Sequence, residues 1–315
     1  MTDETSPQDE STKQPVENQP AGEETTENVQ QDSSTPRGPR VFGRFAVWIV
    51  VVPFIFYLTG TMVGPYIETL REHLVRGTLD DYHHGDESTL PQDEEIPLSE
   101  LEKEIDPNER FLFGLLPLNR DAYPYTYSFT IAGTTLLMLI FGWGYFKAPF
   151  KISFLSIVVG VVGVVAWIAL AELDKNFLGI SDLVSSGRTA FNPFEILKGD
   201  PTWMWQFLII RFFGLSVVVP ITEEFFVRGF LMRYVEDPDW DELPLGKAKD
   251  WVWFVPTIYG VVAHLTEPLA AIFWFSMVSW MYKRTGSIWD CVVAHMVTNF
   301  LLGLYVCYFG AWYLW

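Results

Sequence analysis

Apolar runs of membrane-spanning length recur along this chain, and they exclude most soluble folds. A hydrocarbon layer about 30 Å thick offers no water to a backbone N–H or C=O, so such a run crosses it as a helix. Seven spans are expected, near residues 44–65, 127–146, 152–172, 203–232, 251–265, 268–282 and 287–313. The fifth and sixth fall short of the roughly 20 residues of a perpendicular helix, which predicts tilted, fused or partly re-entrant segments. The expected fold class is all-α: a polytopic membrane protein of about seven transmembrane helices with a polar site within the helical bundle.

The net charge of −18 over 315 residues is unevenly spread. Residues 1–40 form a polar, acidic tail with almost no aliphatic content, expected to be disordered. A second acidic run, DDYHHGDESTLPQDEEIPLSELEKEID, occupies 80–106. The expected organisation is therefore a tail (1–40), an accessory transmembrane region (41–202) carrying an acidic loop (73–126), and a membrane core (203–315). Arg37, Arg40, Arg44, Lys147, Lys151, Arg233, Lys247, Lys249, Lys283 and Arg284 fall at span ends that share one side. By the positive-inside rule the N-terminus is cytoplasmic and the C-terminus outside, in the cell (inner) membrane. Arg71, Arg76, Lys103, Arg110 and Arg120 dilute the asymmetry on the other side. The first span follows a long hydrophilic stretch, unlike a cleavable signal peptide. Cys291 and Cys307 are sixteen residues apart on one span, about 24 Å of helix, so they cannot bridge. The lipid bilayer is an expected partner; nucleic acid is not.

Ionisable groups inside a membrane are costly and mark functional sites. The candidates in spans four, five and seven are the ionisable Glu223, Glu224, Arg228, His264 and His295 and the polar Asn299. Glu224 and Arg228 are four apart, in the acid-before-base order that favours an ion pair on one helix face. Glu223 is turned about 100° away, so the same arginine does not easily serve both acids. His295 and Asn299, also four apart, face one cavity. Measured from the expected cytoplasmic ends, Glu223 lies about 14 Å deep, His264 about 20 Å and His295 about 12 Å, so all three can meet. Interhelical glue is the plain alternative for each polar residue alone. Arg211 has no evident partner beyond Glu172 or Asp174. His83 and His84 sit among carboxylates, as a weak metal site or a solvated loop. A buried carboxylate beside an imidazole suits general-base activation of water, and a His–Asn pair suits an oxyanion. Neither GxSxG nor a Ser-Lys arrangement is present. Glu and His could also hold zinc, although HExxH is absent.

EEFFVR (223–228) has the form EExxxR, and HMVTN (295–299), preceded by TGSIWDCVVAH, has the form HxxxN. YGVVAHL (259–265) lies between them. Over about residues 203–305 the chain resembles the CAAX-protease and bacteriocin-processing family of glutamic intramembrane proteases. The resemblance implies that Glu223 activates water with His264. It implies that Glu224 and Arg228 shape the site, and that His295 and Asn299 form an oxyanion hole. One departure stands out: the family's FxxxH motif has Gly260 here in place of Phe, with Tyr259 one position earlier. Glu267, three residues past His264, is either a further contact of that histidine or a first-turn residue of the sixth span. The expected function is an intramembrane endopeptidase that hydrolyses a peptide bond of a membrane-associated protein or peptide with a glutamate-activated water. It is expected to need no cofactor. The alternatives are a zinc-dependent version, a catalytically silent peptide- or lipid-binding or immunity-type protein, and a proton-coupled carrier.

Overall fold

The computed structural model describes residues 36–83, 97–184 and 190–315. Most of the expected tail, the side chain of His83 and all of His84 lie outside the described residues. The chain is all-α, with α1 (Val52–His83), α2 (Leu98–Glu104), α3 (Tyr123–Phe141), α4 (Phe154–Leu173), α5 (Pro201–Glu236), α6 (Val255–Ala263), α7 (Pro268–Thr285) and α8 (Ile288–Phe309). Between α2 and α3, the strands β1 (Arg110–Phe111) and β2 (Leu116–Pro117) pair antiparallel, Phe111 opposite Leu116.

Five helical stretches are long and apolar enough to cross a bilayer: Gly43–Gly77, Tyr123–Lys147, Phe154–Leu178, Pro201–Glu236 and Ile288–Phe309. They make the chain an integral membrane protein. The other two expected spans do not reach that standard. The nine residues of α6 rise only about 14 Å, and α7 carries Ser276, Ser279, Lys283 and Arg284 among its 18 residues. The two helices pack against each other as a hairpin whose short arm ends at the half-buried His264.

The described residues on either side of positions 84–96 form regular structure and a packed core. Helix α1 runs past residue 73 to His83. Val75 of this helix and Leu101, Ile105, Phe111, Leu116, Leu118 and Ala122 beyond it form a small core of their own. Arg71, fully buried, ties this core together. It meets Glu68, Glu102 at 2.9 Å and Asp121 at 3.4 Å, and it donates to the Leu118 carbonyl at 3.1 Å. Burial and the neighbouring Glu68 charge push the Asp121 carboxyl up to about 6, the Arg71 guanidinium opposing them.

At the opposite end of the bundle the basic segments gather. Arg37 pairs with Asp237 (2.7 Å) and Asp239 (2.9 Å), and the Val41 amide donates to the Asp241 carbonyl. Asp241 accepts from the Phe42 and Gly43 amides, and Lys147 donates to the Phe42 carbonyl. Residues 37–40, read from composition as disordered, are thus strapped to the loop after α5 by ion pairs and backbone bonds. Ser287 donates to the Lys151 carbonyl, and Lys283 pairs with Asp250.

Helices α4 and α8 approach closely at Gly160. A Cβ there would stand 2.8 Å from the Ala294 carbonyl and 2.7 Å from Val297 Cβ, so only glycine lets the backbones approach. Thr298 donates to the Gly160 carbonyl at 3.0 Å. Buried Asp290 accepts from the amide and hydroxyl of Ser153, fixing the start of α4 against the start of α8. These contacts set the height and rotation of His295.

Candidate active site

Helix α5 is not uniformly wound. Gly214–Val218 and Phe225–Leu231 are π-helical, with an α segment, Val219–Glu224, between them. Wide turns of this kind recur at functional sites because they re-aim side chains without ending a helix. Pro220 supplies a local cause. The first wide turn bonds the Val219 amide to the Gly214 carbonyl. The next bond in that pattern would come from residue 220, and proline has no N–H to give. The carbonyl so released, that of Leu215, accepts instead from Asn299 Nδ2 at 2.8 Å.

The two adjacent glutamates are buried but differently served. Glu224 and Arg228, both fully buried, form the ion pair expected from their spacing. The other oxygen of Glu224 accepts from His295 Nδ1 at 3.0 Å. Glu223 Oε2 lies 3.7 Å from His295 Nε2, and Glu223 Oε1 accepts from the Tyr259 hydroxyl at 2.8 Å. One imidazole therefore spans both carboxylates, with its Nδ1 on the acid that the arginine neutralises.

His264 ends α6, with its Nδ1 3.0 Å from the Gly260 carbonyl. Its ring stands edge-on to Trp167 (5.3 Å between centroids) and against Phe275 (5.7 Å). His295 stands edge-on to Trp274 at 4.7 Å, and Trp274 contacts Phe275. The two histidines thus flank a shared Trp–Phe pair on α7. Glu267 stands at the start of α7, buried, donating its amide to the His264 carbonyl and accepting from the Thr266 hydroxyl. Arg211 is engaged elsewhere: it donates to the Tyr123 hydroxyl and lies over the Tyr127 and Trp315 rings, while Glu172 accepts from Tyr313 and Asn176. An aromatic cage, rather than an acid, accommodates this cation.

The structure thus brings Glu223, Glu224, Arg228 and His295 into contact, sets Asn299 on the backbone of α5, and places His264 beyond Phe275. Sequence reasoning missed Tyr259. The signal was present, since a phenol in a largely apolar short helix is also a polar group within the bundle. Gly260, the departure from FxxxH, has a packing reason: the Phe275 ring occupies the space that a side chain at 260 would need. Among the described residues no three His, Cys, Asp or Glu side chains are grouped as metal ligands.

Residues 205–301 match the family model described as type II CAAX prenyl endopeptidase Rce1-like. The match includes every site residue expected from the sequence, and Tyr259 with them. No curated protein and no solved structure matches the chain. Motifs, helical membrane setting and family match agree: over residues 205–301 the chain is similar to the type II CAAX prenyl endopeptidase Rce1-like family, which matches the CAAX-protease and bacteriocin-processing resemblance read from its motifs.

Proposed function

We propose that the chain is a glutamic intramembrane endopeptidase that cleaves a membrane-associated protein or peptide near the cytoplasmic side. The observation that carries this reading is the unequal partnership of the adjacent glutamates. Glu224 is neutralised by Arg228, whereas Glu223 has a phenol and the far edge of an imidazole. Glu223, assisted by His264, takes a proton from water. The hydroxide oxygen bonds to the scissile carbonyl carbon, and the oxyanion accepts from His295 Nε2 and from the Asn299 amide. The C–N bond then breaks, and Glu223 passes its proton to the departing amine. Glu224 orients His295 through Nδ1. No covalent enzyme intermediate and no metal enter this scheme. The basic ends gathered around residues 37–43, 147–151 and 282–287 support a cytoplasmic N-terminus.

The test compares membrane proteomes of cells carrying the wild type, Glu223→Ala and Glu223→Gln. A quenched peptide ending in a farnesylated Cys-a-a-X serves as probe for the purified proteins. Both variants are expected to accumulate at wild-type level and to leave peptides uncut that the wild type cuts. Exhaustive chelation should leave the wild-type rate unchanged. Full cleavage by folded Glu223→Gln overturns the mechanism, and activity lost on chelation and restored by zinc overturns its metal independence.

A further inference from the structure

We infer that Tyr259 is a positioning residue for the general base, a role that rests on the hydrolytic reading of Glu223. A glutamate has several rotatable bonds, and a base must aim one oxygen lone pair at its water. In this site that freedom is removed from α6. The Tyr259 hydroxyl donates to Glu223 Oε1 at 2.8 Å and fixes which oxygen is occupied, leaving Oε2 turned toward His295. A phenol suits the task because it supplies a donor without adding a charge that would pair off the base as Arg228 pairs off Glu224.

The phenol is itself held. Its ring meets Phe275 of α7 edge-on at 5.9 Å, Phe226 of α5 at 6.2 Å and Phe54 of α1 at 6.2 Å. Phe54 and Phe226 stack on each other at 4.2 Å. Three helices therefore clamp the donor, and one of them, α1, lies outside the family-matched segment. Tyr259 also shares the nine-residue α6 with the backbone that leads into His264. One short rigid element thereby sets both the orientation of Glu223 and the position of the histidine expected to work with it.

The decisive variant is Tyr259→Phe, which keeps the ring in its clamp and removes only the hydroxyl. Steady-state cleavage of the farnesylated probe is measured per mole of folded, monodisperse protein. If the wild type leaves that probe intact, a peptide whose cleavage depends on Glu223 in the proteome comparison replaces it. A hydrogen bond to a charged group, lost from the reacting arrangement, predicts a kcat lower by about 10- to 100-fold, with KM and melting temperature within about twofold and a few degrees of wild type. Phe54→Leu, which loosens the clamp but leaves the hydroxyl, should give a smaller fall in kcat. Wild-type kcat in Tyr259→Phe, with Glu223→Ala inactive, overturns the positioning role alone. A fall in kcat that merely tracks a lowered melting temperature also overturns it. Cleavage unaffected by Glu223→Ala, or absent for every peptide tested, overturns the reading on which it rests.

Discussion

The Glu224–Arg228 pair separates what holds the site together from what makes it work. Both side chains are fully buried, and Glu224 also accepts from His295 Nδ1. Arg228 Nε and Nη2 have no hydrogen-bond partner among the described residues, so only Nη1 returns part of the cost of desolvating the guanidinium. Substituting Arg228→Met strands a buried carboxylate, which costs about 3–5 kcal/mol in comparable buried pairs. Replacing both partners, Glu224→Leu with Arg228→Met, removes both desolvation penalties and leaves an apolar contact. Such replacements are typically neutral or stabilising by about 1–4 kcal/mol. The double variant should therefore be clearly more stable than Arg228→Met, its remaining cost being the roughly 1–3 kcal/mol of a His295 Nδ1 left without its acceptor. It should still lose cleavage, because His295 no longer has the acceptor that fixes its Nδ1. Unfolding free energies come from SDS titration of the purified protein in mixed micelles, and activity from cleavage of the farnesylated probe. The reasoning fails if Arg228→Met lies within about 1 kcal/mol of wild type, well below the penalty expected for a stranded charge. It fails equally if the double variant is as unstable as the single one, or if it cleaves at the wild-type rate.

Gly160→Ala should lower both melting temperature and cleavage, since its Cβ would meet the Ala294 carbonyl at 2.8 Å and must push α8 aside; overpacking of this kind costs about 1–3 kcal/mol. An unchanged melting temperature would remove the α4–α8 contact as the device that places His295. For Asp121, the carboxyl at about 6 in the folded protein stands above its ordinary 3.8. The folded state therefore holds the proton to higher pH than the unfolded state does, and this group's contribution is full below about pH 4 and lost as pH rises through about 6. Asp121→Asn should flatten the stability profile of the wild type across that window, as read by thermal melts between pH 4 and 7; identical profiles would exclude Asp121 as the source.

Much of the site was legible because buried charge in an apolar span has few excuses. The i, i+4 spacing of Glu224 and Arg228 foretold their ion pair, and helix phase foretold that Glu223 would be served differently. Less was legible wherever a local irregularity decides the outcome. Pro220 and the two wide turns of α5 are not implied by an apolar run, yet they determine which carbonyl Asn299 meets. Spans five and six looked like bilayer crossings by composition. Their shortness was legible, but the break between them at His264 and Glu267, which separates nine-residue α6 from α7, was not. Acidity hid the small core around Arg71, because a composition average cannot show that one arginine will collect three carboxylates. Tyr259 was overlooked for a related reason: its hydroxyl counts as apolar in a hydropathy pattern but not in a hydrogen-bond inventory.

The close approach at Gly160 has a bearing on how this protein can be cut. Residues 205–301 are continuous in sequence, but α8, which carries His295, packs through Ala294, Val297 and Thr298 on Gly160 of α4, and the clamp on Tyr259 includes α1. A fragment trimmed to the family boundary would keep every hallmark residue while baring the face of α8 that Gly160 covers and leaving Phe226 without its stacking partner. The recognisable motif and the unit that folds are different objects in this chain, and only the longer one can be expected to hold its glutamates apart.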